Sequence, residues 1–205
     1  AKRDVARQPK FDIKNFMGLR SLDDFARGYL LSKNRVKEGM LVFTDQALPK
    51  SLTKLDSTKN KRALEIQLNI QGYMGDKHMP YPAMLAQDVL KTAVGDKDYR
   101  DEVYCQIIKQ LSGNSRAESV AKGWQLMCMC VGTFPPSFDM EYYLLHYIIA
   151  KSEAGRGAVV DYAKYCLRTL EAMLSSGDFN GGYVPGTEEI LSYKERPPIL
   201  ATIYL

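Results

Sequence analysis

The chain has 205 residues, 45% of them hydrophobic and 25% charged, with a formal net charge of +4. That is the composition of an ordinary globular protein, long enough to bury a real core. No apolar run approaches the roughly 20 residues a membrane span needs, so no membrane insertion is expected. A sequence pI near 8.8 lies below the strongly basic range of nucleic-acid-binding domains. The basic residues also lack interleaved aromatics for base stacking, so no nucleic-acid partner is expected. The polar start Ala1-Lys2-Arg3-Asp4 leads into no apolar segment, so no signal peptide is expected. An Ala at position 1 suits a piece of a longer chain.

Residues 1–20 have few apolar anchors and no clear period, and they read as a linker or arm. Lys2, Arg3, Arg7, Lys10 and Lys14 make it basic, while Phe11, Ile13, Phe16, Met17 and Leu19 are available to dock it. Ser21 is a good N-cap, with Asp23 and Asp24 in the first turn. Leu22, Phe25, Ala26, Tyr29 and Leu30 then form the apolar stripe of a first helix. Residues 33–60 read as irregular and basic, wrapping the body. Lys50, Lys54, Lys59, Lys61 and Arg62 cluster there with only Asp56 among them, a charge pattern that steers toward an acidic partner.

The stretch from Ala63 to Met74 carries two periods. Leu64, Ile66, Leu68 and Ile70 alternate with Glu65, Gln67, Asn69 and Gln71, as in a strand. Ala63, Ile66, Ile70, Tyr73 and Met74 fit a helix equally well, and the neighbouring segments are helical. Pro80 and Pro82 mark a helix start, Met84, Leu85, Val89 and Leu90 continue it, and Gly95 stops it. The next helix runs from about Asp98 to Leu111 and ends at Gly113-Asn114. Val103, Ile107, Ile108 and Leu111 form its apolar stripe, and Arg100, Glu102, Gln106 and Gln110 flank that stripe. Polar groups so placed are partly buried and need partners. Arg100, Asp101, Glu102 and Gln106 therefore read as a structural polar network tying this helix to its neighbours. The alternative for Asp101-Glu102, acid–base work, requires a cleft and a tuned partner.

Ser115 opens a helix with Trp124, Leu126, Met127, Cys128, Val131 and Phe134. It is apolar on most sides, hence central. Pro135-Pro136 ends it. Ser137 caps a helix with Met140, Tyr143, Leu144, Tyr147 and Ile148. Gly155 and Gly157 bracket a turn. Val159, Tyr162, Ala163, Cys166, Leu170 and Met173 mark a last long helix closed by Gly177. Thr187 to Leu191 suggest a short helix, and the final ILATIYL reads as a lone β-strand.

Little here carries chemistry. Cys105, Cys128, Cys130 and Cys166 lie in apolar helical patterns with no metal-type CxxC spacing, and read as buried reduced thiols rather than a disulfide or zinc site. His78 lies in a loop and His146 among apolar residues, neither with a metal-type partner. No phosphate-binding loop, dinucleotide turn or nucleophile elbow occurs. No catalytic residue, metal or cofactor is expected, and no enzyme activity.

One resemblance covers roughly Leu22 to the C-terminus. YRDEVYCQIIKQLSGN resembles the signature of the myosin tail homology 4 domain of unconventional myosin tails and some kinesins. FTDQALPKSLTKL before it, GWQLMCMCVGTFPPS with MEYYLLHYI after it, then DYAKYCLRTLEAM and GGYVPGTEEILSYKERPPILATIYL, follow the family's order. A myosin of the class VII, X or XV kind fits better than a kinesin. The resemblance implies an all-α, compact bundle of about 8–10 helices. It divides the chain into an arm at 1–20, the helical domain at 21–185, and a linker helix at 186–205 entering the first strand of a FERM domain. It also implies a non-catalytic motor-tail module, cytoplasmic and cytoskeleton-associated, at filopodia or the cell cortex. Its expected partners are microtubules or acidic cargo segments, the adjoining FERM domain and, in autoinhibition, the motor domain. Lys50, Lys54, Lys59, Lys61 and Arg62 correspond by region to the family's microtubule-binding lysines. The competing reading is a structural spacer that positions the FERM lobes.

Overall fold

The computed structural model describes residues 2–176 and 182–193. Among them the fold is all-α, and the extended pairing is a single antiparallel bridge between Leu19 and Thr53. In chain order the helices are α1 (Lys2–Ala6), α2 (Leu22–Phe25), α3 (Lys33–Glu38), α4 (Asn60–Met74), α5 (Pro82–Gly95), α6 (Asp98–Leu111), α7 (Ala117–Thr133), α8 (Glu141–Ala154), α9 (Ala158–Ser176) and α10 (Thr187–Ser192). The C-terminal ILATIYL segment lies outside the described residues.

The helices α4 to α9 make the bundle. α4 packs on α5, α6 and α7; α7 packs on α6 and α9; α8 packs on α9. Trp124, Leu126, Met127, Cys130 and Val131 bury α7 on nearly all sides, as an all-round apolar helix must be. Close approach needs Gly123, where a Cβ would sit 2.7 Å from Leu111 and 2.8 Å from Met74. α10 lies against α5, and Gln87 Nε2 donates to the Pro185 carbonyl at 3.0 Å.

Residues 2–15 are packed along α8. Ala6 is fully buried, Phe11 stacks on Tyr142 at 5.0 Å, and Ala6 O meets His146 Nδ1 at 2.7 Å. Lys2 pairs with Glu141 at 2.5 Å, Arg7 with Glu153 at 2.7 Å, and Arg3 with Glu171 on α9. Phe16 and Leu19 are buried, whereas Met17 points outward.

Several sequence expectations need correction. The first helix is a single turn. The Ser21 hydroxyl accepts from Asp24 N at 3.1 Å as the cap predicts, but α2 ends at Phe25 and Gly28 turns the chain with φ +97°. Phe25 and Ala26 are buried, while Leu22, Tyr29 and Leu30 are exposed, so the stripe is not one face. Residues 33–60 contain the helix α3 and a 3-10 turn at Ser57–Lys59. Met84 lies on the exposed side of α5. α7 starts at Ala117 rather than Ser115, because the Asn114 side-chain Oδ1 takes the Arg116 N–H at 2.9 Å and holds a turn first. Ser137 caps a turn through Met140 N at 3.2 Å, and α8 proper begins at Glu141.

Candidate protein-interaction site

The segment 44–55 carries part of the basic cluster, and buried polar side chains of α4 and α6 hold it in place. Glu102 is 0% exposed. Its Oε1 accepts from Leu52 N at 2.9 Å and from Gln106 Nε2 at 2.7 Å. Its Oε2 accepts from Thr53 N at 2.7 Å and Thr53 Oγ1 at 2.5 Å. Burial pushes the Glu102 carboxyl up from its ordinary range, against the pull of these donors. Gln106 also donates to Ala63 O at 2.9 Å, which joins α6 to α4.

Four residues that the sequence reading did not assign to this task complete the clamp. Gln67 donates to Gln46 O at 3.0 Å and accepts from Leu48 N at 3.3 Å. Gln71 and Gln110 both donate to Thr44 O, at 2.7 and 3.0 Å. Lys109, 1% exposed, donates to Gly39 O at 2.6 Å and to Val42 O. Burial lowers its pKa to about 8. The signal was present in the sequence: amides recur at i, i+4 on both α4 and α6, and on each helix they share a face with the apolar residues. An irregular segment leaves its backbone groups unpaired, and these side chains satisfy them.

Arg100 and Asp101 act at the other end of α6. Arg100 Nε donates to Ala93 O at 3.0 Å, which closes the α5–α6 corner. Asp101 accepts from Ser137 N at 2.8 Å and Ser137 Oγ at 2.5 Å, fastening the start of α8. Burial raises the Asp101 carboxyl, opposed by these two donors. The four residues of the predicted network thus serve two places: Glu102 and Gln106 at the segment around Leu52, Arg100 and Asp101 at helix corners.

The five basic residues differ in their surroundings. Lys59 lies between Asp96 at 2.5 Å and Asp98 at 2.6 Å, and those carboxylates raise its pKa. Arg62 pairs with Asp88 at 2.7 Å and Glu65 at 3.0 Å, and also donates to Thr92 Oγ1 at 2.5 Å. Lys50 is 3.5 Å from Asp24. Lys54 is exposed and donates to the Met17 carbonyl at 2.8 Å, with no carboxylate in ion-pair range among the described residues. Lys61 is exposed on the first turn of α4, likewise without a carboxylate partner among them.

The four cysteines are buried free thiols, with Cys128 Sγ 3.4 Å from Cys166 Sγ. Among the described residues no group of acids, histidines and cysteines is placed to hold a metal, and no helix is long and apolar enough to cross a membrane.

The profile of the MyTH4 domain family matches residues 86–192, just over half of the chain. The chain belongs to the MyTH4 domain family. It is 45% identical over 143 residues to the high molecular weight form of myosin-1 of Acanthamoeba castellanii, which covers 70% of this chain and 9% of that one. It is 37% identical over 106 residues to Myosin-VIIa of Drosophila melanogaster, covering 52% of this chain and 4% of that one. The chain thus spans less than a tenth of the length of these curated relatives. In structure it resembles the MyTH4-FERM MF1 domain of Dictyostelium discoideum Myosin VII, with a TM-score of 0.70 at 23% identity, over 95% of this chain and 38% of that one. It also resembles the human Myosin 7b C-terminal MyTH4-FERM domain solved in complex with the harmonin-a PDZ3 domain. There the TM-score is 0.60 at 28% identity, over 78% of this chain and 33% of that one. MyTH4 domains are thus a part of unconventional myosin tails that occurs joined to FERM domains, and this chain has their fold.

Proposed function

We propose that this MyTH4 domain is a non-catalytic interaction module of a cytoplasmic, cytoskeleton-associated motor tail, and that it meets an acidic protein surface, such as a microtubule or an acidic cargo segment, through its basic segment. In this reading residues 21–185 form the domain and 186–205 lead into a FERM lobe, which shares the work of recognition. Folding back on the motor domain would use the same surface.

The observation that carries the reading is the contrast within the basic cluster. Lys59 and Arg62 already have two carboxylates each, whereas Lys54 and Lys61 have none among the described residues. Their charge is available to a partner. Lys54 also follows directly on Leu52 and Thr53, which Glu102 holds fixed, so less side-chain and loop freedom is lost on binding. Exposed ion pairs contribute only about 0.2–1 kcal/mol each, so Lys54 and Lys61 must act with further cations, such as Lys50. The neighbouring Myosin 7b structure, which holds a PDZ domain, supports protein partners for a MyTH4-FERM unit in general.

The test is co-sedimentation with microtubules, comparing wild type with Lys54→Glu/Lys61→Glu. These two sites are the right ones because reversing Lys59 or Arg62 would set like charges together and perturb the fold. Pelleting that the double variant loses supports the reading. No pelleting of wild type at low salt favours the spacer, with recognition on the FERM lobes.

A further inference from the structure

The turn between α2 and α3 carries an exposed apolar tip that the reading above does not use. Leu30 is 93% exposed and its neighbour Leu31 is fully exposed. Tyr29 beside them is partly exposed, and Gly28 at φ +97° throws the tip outward. Two adjacent leucines so exposed, beside Tyr29, make an apolar patch on the surface, and such patches mark interaction sites.

Cations outnumber acids around it. From Arg27 to Lys37 the chain has four cations, Arg27, Lys33, Arg35 and Lys37, and no acid. Facing them are Asp23, which pairs with Lys33 at 2.9 Å and Lys37 at 2.7 Å, and Asp24, which pairs with Arg27 at 3.3 Å. Glu38 follows the run. Arg35 has no carboxylate in ion-pair range among the described residues. A Tyr-Leu-Leu tip within a collar of Arg and Lys matches the layers of a membrane surface: acyl chains for the leucines, the interface for the tyrosine, anionic headgroups for the collar.

We propose that the Tyr29–Leu31 tip docks the domain on an anionic lipid bilayer, the two leucines entering the headgroup–acyl boundary and Arg35, which has no carboxylate in ion-pair range among the described residues, resting on the headgroups. The absence of a spanning run does not bear on this contact, which reaches only the outer part of one leaflet. A single short tip gives weak, reversible binding, so it would act together with a second attachment.

The experiment is vesicle co-sedimentation of the chain with phosphatidylcholine containing about a quarter phosphatidylserine, against pure phosphatidylcholine. Binding to the anionic vesicles is expected to fall about tenfold in Leu30→Ser/Leu31→Ser and to weaken with salt. The melting temperature should not change, because both side chains are almost wholly exposed. Leu30→Cys labelled with a polarity-sensitive dye reads insertion directly, since the four native cysteines are buried. A blue shift on adding anionic vesicles is expected. Absence of vesicle binding by wild type at low salt overturns the proposal. So does undiminished binding by the serine variant with no blue shift, which would mean adsorption by charge alone. Self-association that the serine variant abolishes, without vesicle binding, would assign the tip to a second copy and also overturn it.

Discussion

The carboxylate of Glu102 accepts both the backbone N–H of Thr53, at 2.7 Å, and its hydroxyl, at 2.5 Å, inside the bundle. With Leu52 N and Gln106 Nε2 on the other oxygen, all four acceptor positions of the carboxylate are filled by donors. Glu102→Ala strands these donors in a buried site and should cost about 2–4 kcal/mol, measured by urea unfolding. A loss under about 0.5 kcal/mol would show that the network does not hold the segment.

Lys109 gives a pH signature. Its neutral amine has two hydrogens, matched to the Gly39 and Val42 carbonyls, whereas the ammonium has a third with no acceptor among the described residues. The folded pKa is lowered to about 8 from the ordinary 10.5. The charged form is therefore penalised in the native state, and the penalty is full below pH 8. Between pH 8 and 10.5 the unfolded chain keeps the proton that the native one has released, so stability rises with pH through this window. Lys109→Met should remove that rise, on the order of a few kcal/mol, while losing the two hydrogen bonds at every pH. Parallel pH profiles for the two proteins would contradict the assignment.

Charge reversal should separate the basic residues by stability. Lys59→Glu sets a third carboxylate beside Asp96 and Asp98 and lowers the melting temperature. Lys61→Glu, with no carboxylate partner among the described residues, leaves it unchanged. Equal melting temperatures would mean the Lys59 pairs contribute nothing measurable, as many exposed pairs do.

The N-terminal residues should behave as part of the folded body. Ala6 is fully buried against α8, so Ala6→Asp places a charge in an apolar contact and should cost at least ~2 kcal/mol. An unchanged unfolding midpoint would show that this segment detaches in solution.

The sequence shows the long helices well where capping and period agree. α6 spans the residues read for it, Asp98 to Leu111, because a clean stripe and a Gly113 stop coincide. The double period over 63–74 has a physical cause. Gln67 and Gln71 on α4 are buried among Ile66 and Ile70, since their amides satisfy the backbone of residues 44–48. That mixes polar residues into a core face and imitates a strand. Glu102 was visible as a polar residue beside an apolar stripe, but its partners were not, because Leu52 and Thr53 lie 50 residues away in a segment with no period of its own. The short α2 misled for the opposite reason. Leu22 to Leu30 carries a helical stripe, but the helix ends at Phe25, which is buried, and Gly28 at φ +97° turns the chain away. The basic cluster reads as five equal charges because its neutralising acids, Asp88 on α5, Asp96 just after it and Asp98 at the start of α6, come later in the chain.

The most direct measurement of the central claim is the salt dependence of microtubule binding by wild type and by Lys54→Glu/Lys61→Glu. Charges that meet the partner at an exposed surface are screened by salt, so wild-type affinity should fall steeply with ionic strength. The double variant is predicted to bind more weakly at low salt and to show a shallower dependence, with an unchanged melting temperature. Equal affinities and equal slopes for the two proteins would contradict the account and leave the domain as a spacer for the FERM lobes.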